Sequence, residues 1–187
     1  MDQTLSQLGH AALADLSKVF DALPDDAADP LIEAILGAKR IAIHGLGREG
    51  LAMKGFVMRL FHMGRDVHVV GDMTTPPLGP GDLLIVSVGP GSLGTMDALL
   101  DIASAAGATT AVVTAVPDGP TSRRADILLV IPAQTMANDQ GGAVSVLPMG
   151  SLFEVAQTIL FELIILNLRE RTGETAETMR ARHTNLE

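Results

Sequence analysis

Five short apolar runs, separated by stretches of helical periodicity, constrain this chain more than any other feature. They cover residues 40–44, 67–70, 83–87, 110–114 and 127–131. Each is four or five residues long with little polar alternation, the pattern of strands covered on both faces of a parallel sheet. Between them, 50–63 and 93–106 have helical spacing, with a short helical piece near 121–125. This order predicts an α/β fold: a doubly wound, five-stranded parallel sheet flanked by helices, flavodoxin-like in its winding.

Both ends of the chain read as helical. Leu5, Leu8, Ala12, Leu16, Val19, Phe20 and Leu23 share one helical face before PDDAADP breaks it, and 31–36 forms a second short piece. Near the other end, Leu152, Phe153, Val155, Ile159, Leu160, Phe161, Leu163, Ile164, Ile165 and Leu166 surround a helix almost completely. Such a helix needs burial on every side, which one small sheet does not supply. We therefore read 1–187 as a single domain, with helices in 1–38 and a helix and tail in 151–187 used for packing between subunits.

Composition removes several classes of partner. A formal net charge of -9 repels nucleic acid and anionic lipid. With no Trp, no Tyr and five Phe, the chain has almost no platform for stacking bases. The absence of cysteine excludes disulfides and thiolate metal sites, and fits a cytoplasmic protein. No signal peptide is legible, and the apolar run 155–168, interrupted by Gln157 and Glu162, is shorter than the roughly 20 residues of a membrane span. No histidine and carboxylate grouping has metal-site spacing, so no metal is expected.

Two glycine-rich segments follow the first and third apolar runs, where ligands bind in open parallel sheets. The first, HGLGREG, contains the dinucleotide spacing G-x-G-x-x-G; the second is SVGPGSLGT, Ser87 to Thr95. Each leads into a helix, so unpaired backbone N–H groups can converge on an anion. Asp72, 22 residues past Gly50, stands about where an acid would meet a ribose. Five strands are too few for the two three-stranded halves of a dinucleotide site, however, and the second glycine loop is not part of that fingerprint. The glycines can also be read as tight turns alone.

The stretches GLGREGLAMKGFVMRLFHMG, VVGDMTTP, DLLIVSVGPG, PMGSLFE and RARHTNLE resemble, in order, the 6-phospho-3-hexuloisomerases of the sugar isomerase (SIS) domain superfamily. The resemblance implies an SIS-type sheet, a homotetramer, and isomerisation of 3-hexulose 6-phosphate to fructose 6-phosphate without metal or nucleotide. It matches Glu154 to a catalytic glutamate and His183 to a terminal histidine that reaches a neighbouring subunit's site. It carries Gly47, Arg48, Ser87 and, with a one-residue ambiguity, Ser92 over to substrate binding, with Thr74 and Thr75 lining the sugar pocket; Glu49 and Gly91, in the same two loops, are further substrate-binding candidates. Moving a carbonyl one carbon along a sugar needs a base, an acid and donors for the enediolate between them, roles that a carboxylate of raised pKa and a histidine suit. Read without the family, Glu154 is an acid near a helix N-terminus, His183 a tail residue, and the threonines turn formers.

Two positions depart from the superfamily pattern. Glu49 stands where a serine is usual, and Gly89-Pro90 replaces a serine and removes a backbone donor in the second loop. A carboxylate ~6 Å from a phosphate opposes it by roughly 3–6 kcal/mol at an effective dielectric near 20. Glu49 is therefore expected to point away, to be neutralised by Arg48 or Lys54, or to meet a different ligand. Two alternatives follow: a non-catalytic sugar-phosphate-binding module, or an isomerase acting on another phosphorylated or acidic sugar.

Overall fold

The computed structural model describes residues 3–140 and 144–186; Glu187, last of the RHTNLE stretch, lies outside them. In chain order the elements are α1 (Leu5–Asp21), α2 (Asp29–Gly37), β1 (Ile41–His44), α3 (Gly47–His62), β2 (Val67–Val69), β3 (Leu83–Ser87), α4 (Gly94–Ala105), β4 (Thr109–Thr114), a 3-10 turn (Ser122–Arg124), β5 (Ile127–Val130), α5 (Ser151–Thr172) and α6 (Ala176–Ala181). The strands pair in parallel throughout, in the order β2-β1-β3-β4-β5. This is the doubly wound sheet expected from the alternating runs.

Strand side chains alternate between two cores, as a period of two demands. Ile41, Ile43, Leu83, Ile85, Ala111 and Val113 face one core, shared with α1, α2, α3 and α5. Ala42, Leu84, Val86 and Val112 face the other, which α4 covers with Met96, Leu100 and Ala103. The helices after β1 and β3 therefore lie on opposite faces, and the crevice between these neighbouring strands is the topological switch point. Phe56 of α3 stacks on Phe161 of α5, ring centroids 4.2 Å apart, and both are buried.

Helix α3 begins three residues earlier than the sequence predicts, so Arg48 and Glu49 occupy its first turn. The glycine spacing explains this. Gly47 takes a left-handed φ of 55° as the first helical residue. A Cβ on Gly50 would lie 2.4 Å from Gly45 O, so the helix sits backbone-to-backbone on the strand exit. Two of the three fingerprint glycines thus bring helix and strand together.

Helix α5 is longer than the apolar run read from the sequence. Its 22 residues are long and apolar enough to cross a membrane by length and composition, yet 56% of the apolar window is buried in the fold. It is a core helix with one uncovered stripe of Val155, Ile159, Leu163 and Leu166. Helix α6 was not expected; Thr175 and Thr178 form a capping box that starts it.

Candidate active site

A cavity of about 680 Å³ opens at the switch point. The first turn of α3 contributes Gly47, Arg48 and Glu49, the end of β3 Ser87, and the start of α5 Glu154 and Phe153; Met136 and Met149 help to close it. Three sequence signals that lie far apart in the chain are thus brought to one wall.

Glu154 sits in the first turn of α5, where the positive end of the helix favours an anion. Its side chain is 20% exposed, and Oε2 lies 2.9 Å from Arg48 Nε. The same guanidinium donates to Ser151 Oγ at 2.9 Å and to the Met149 carbonyl at 3.0 Å. Burial raises the Glu154 pKa; the Arg48 charge opposes this, the Glu49 charge adds to it, and the balance lies above the ordinary glutamate value. A carboxylate of raised pKa, held in place by one arginine, results.

Met149 and Gly150 both have positive φ, 53° and 77°. This tight entry aims the first turn of α5 at the cavity. A Cβ on Gly150 would approach Met136 N to 2.5 Å, so only glycine fits there.

Glu49 does not point away, and Arg48 pairs with Glu154 instead of neutralising it. Its Oε2 accepts from Ser87 Oγ at 2.5 Å and from the Gly89 N–H at 2.9 Å. Ser87 Oγ also lies 3.0 Å from the amide oxygen of Gln157, which is fully buried. A hydroxyl has one proton to give, and the shorter contact to the carboxylate takes it. Turning the Gln157 amide over lets its nitrogen, otherwise without a partner, donate to Ser87 Oγ. Gln157, Ser87, Glu49 and the Gly89 amide then form one chain of donors and acceptors. Gln157 was legible in the sequence only as an interruption of an apolar helix.

The remaining expected residues lie outside this lining. Gly91, φ 78°, packs on Val116, and its carbonyl accepts from the Thr121 N–H. Ser92 is exposed on the loop before α4. Thr75 Oγ1 donates to the Val69 carbonyl at 2.6 Å and Thr74 is exposed, so both belong to the turn after β2. His44 contacts the Val70 carbonyl and lines a smaller recess with Lys54 and Asp72. His183 stacks on His62, with ring centroids 5.1 Å apart, and lines a depression with Arg59, Glu162 and Arg180. Within one chain it does not line the cavity of Glu154. Among the described residues no group of three or more His, Asp or Glu side chains could hold a metal.

The SIS domain model matches residues 34–159, which hold the whole sheet and the first turns of α5. The chain belongs to the SIS domain family. SIS relatives include 3-hexulose-6-phosphate isomerases from Bacillus subtilis, 36% identical over 88% of this chain and 89% of the relative, and from Mycobacterium gastri, 37% identical over 100% and 96%. A Methanococcus jannaschii protein, whose crystal structure infers a molecular function of 3-hexulose-6-phosphate isomerase, superposes with a TM-score of 0.79 at 27% identity, covering 98% of each chain. An Escherichia coli protein shares the SIS fold at 17% identity, TM-score 0.77, over 95% and 94% of the two chains.

Proposed function

We propose that this SIS protein is a sugar phosphate isomerase that interconverts 3-hexulose 6-phosphate and fructose 6-phosphate through an enediolate. The observation that carries this reading is Glu154: a largely buried carboxylate of raised pKa in the wall of a cavity at the switch point. In this scheme Glu154 takes the proton from C2 of the 3-ketose, leaving an enediolate over C2 and C3. The proton returns at C3, and the hydroxyl proton passes from O2 to O3 as the carbonyl moves to C2. A Glu154 of raised pKa suits both halves, because it gives back readily the proton that it takes. His183 serves the oxygen-to-oxygen transfer from a neighbouring subunit, and Arg48 holds the base. The relatives named 3-hexulose-6-phosphate isomerase support the substrate class.

The test is to incubate purified protein with 3-hexulose 6-phosphate and follow fructose 6-phosphate. Turnover that disappears in Glu154→Gln supports the reading; no turnover from an intact, folded protein rejects it. A second reading, a sugar-phosphate binder without catalysis, is favoured by one observation: Glu49 already fills the Ser87 and Gly89 donors. It predicts binding of ketose phosphates with no isomerisation of any of them.

A further inference from the structure

We infer that Glu49 is an intramolecular competitor for the anionic group of the ligand, and so sets which ligands this cavity accepts. The inference rests on the proposed function only in taking that group to be the phosphate of a sugar.

The donors at the end of β3 demonstrably bind an oxyanion, because one occupies them: a single oxygen of Glu49 accepts from both the Ser87 hydroxyl and the Gly89 N–H. The carboxylate also fills the space available. A Cβ on Gly89 would lie 2.8 Å from Glu49 Oε1 and 3.0 Å from the Phe153 ring. Ligand phosphate cannot use these donors while Glu49 holds them.

The charge of Glu49 works in the same direction. Arg48 is engaged by Glu154, Ser151 and Met149. Among the described residues no Lys, Arg or His lies within ion-pair distance of Glu49. A phosphate beside it would meet an unpaired like charge in a partly buried setting. Because Glu49 is fixed in the first turn of α3 with its carboxylate on the donors, its effective concentration there is at least about millimolar, and a dilute phosphate must displace it. Serine at this position keeps a polar group in the turn and removes both the plug and the charge.

Isothermal titration with inorganic phosphate tests this without any turnover. Glu49→Ser is expected to bind phosphate at least tenfold more tightly than the wild type, with Glu49→Gln, which keeps the shape and loses the charge, in between. A gain in binding is something that structural damage does not produce. Equal or weaker phosphate binding by folded Glu49→Ser overturns the inference; if that variant does not fold, equal or weaker binding by Glu49→Gln does so. The outcome is separable from the isomerase reading. Tighter phosphate binding in a protein that turns over no hexulose phosphate upholds the competitor and rejects the substrate, whereas wild-type turnover with unchanged phosphate affinity in the variants does the reverse.

Discussion

Glu154 is held in conflict: its surroundings disfavour the charge that its arginine attracts. Since its pKa is raised in the folded chain, the fold binds more protons than the unfolded chain between pH 4.5 and the raised value. This contribution is favourable at low pH and is lost as pH rises through the folded pKa. Glu154→Gln should therefore melt at or above the wild-type temperature at pH 7, with the difference closing below pH 4.5, where both side chains are neutral. Thermal melts at pH 4 and pH 7 check this, and a variant that melts well below the wild type at pH 7 would contradict it. Turnover should fall by about 10²-fold or more in the same variant, and the acid limb of the wild-type pH–rate profile should lie above the usual carboxylate range. Glu154 was legible as a candidate through the family resemblance, and without it only as an acid in the first turn of an apolar helix. The direction of Glu49 was not, because it depends on where α3 starts, and a left-handed glycine moved that point by nearly a full turn.

At the scale of elements, two contacts hold the cavity wall. Gly150→Ala must place a Cβ 2.5 Å from Met136 N while keeping a left-handed φ. The conformation alone costs about 1–2 kcal/mol, and the clash shifts the start of α5. We expect a lower melting temperature together with a reduced kcat, measurable on one preparation, whereas loss of stability with unchanged kcat would separate the turn from the chemistry. Across the seam between α3 and α5, Phe56→Ala should cost about 3–5 kcal/mol, a fall in Tm of roughly 6–20 °C for a domain of this size. Calorimetry decides. The strands were readable to within a residue because buried parallel strands are apolar on both faces. Helix α6 escaped notice because one short turn and a half, with Met179 as its sole large apolar side chain, carries no periodic signal. Its capping box and the pairing of Arg182 with Glu174 hold it in place.

At the scale of the whole molecule, an apolar surface is left uncovered. Leu51 and Met58 on α3 and the stripe of Val155, Ile159, Leu163 and Leu166 on α5 are exposed in the single chain. We propose that a second copy covers this face, in keeping with the subunit packing expected from the all-round apolar helix. Leu163→Glu with Leu166→Glu should then lower the mass seen by sedimentation and, where His183 acts across subunits, the activity with it. The tail is held to its own chain. Arg182 forms a two-pronged pair with Glu174, both contacts at 2.8 Å, and also donates to the His62 carbonyl. Hydrogen bonds from Arg182 and from Thr178 draw the Glu174 pKa down to about 2. A depressed carboxylate stabilises above its ordinary value of 4.5 and loses that contribution as pH falls towards 2. Protection of the tail amides, expressed relative to the intrinsic exchange rate at each pH, should thus hold from neutral pH to about 4.5 and fall below it, and Arg182→Ala should already lack that protection at neutral pH.

The Arg48–Glu154 pair has a further consequence, because it belongs to two hollows at once. These residues line the chamber at the switch point and also the groove between α3 and α5 that runs down to Glu162. The pair therefore stands on the boundary between groove and chamber. Any acidic group entering the groove that draws the guanidinium aside strips Glu154 of the one neighbour that lowers its proton affinity. Occupation of the groove would in this way be transmitted to the Glu154 carboxylate as a change in proton affinity, with no movement of the backbone needed.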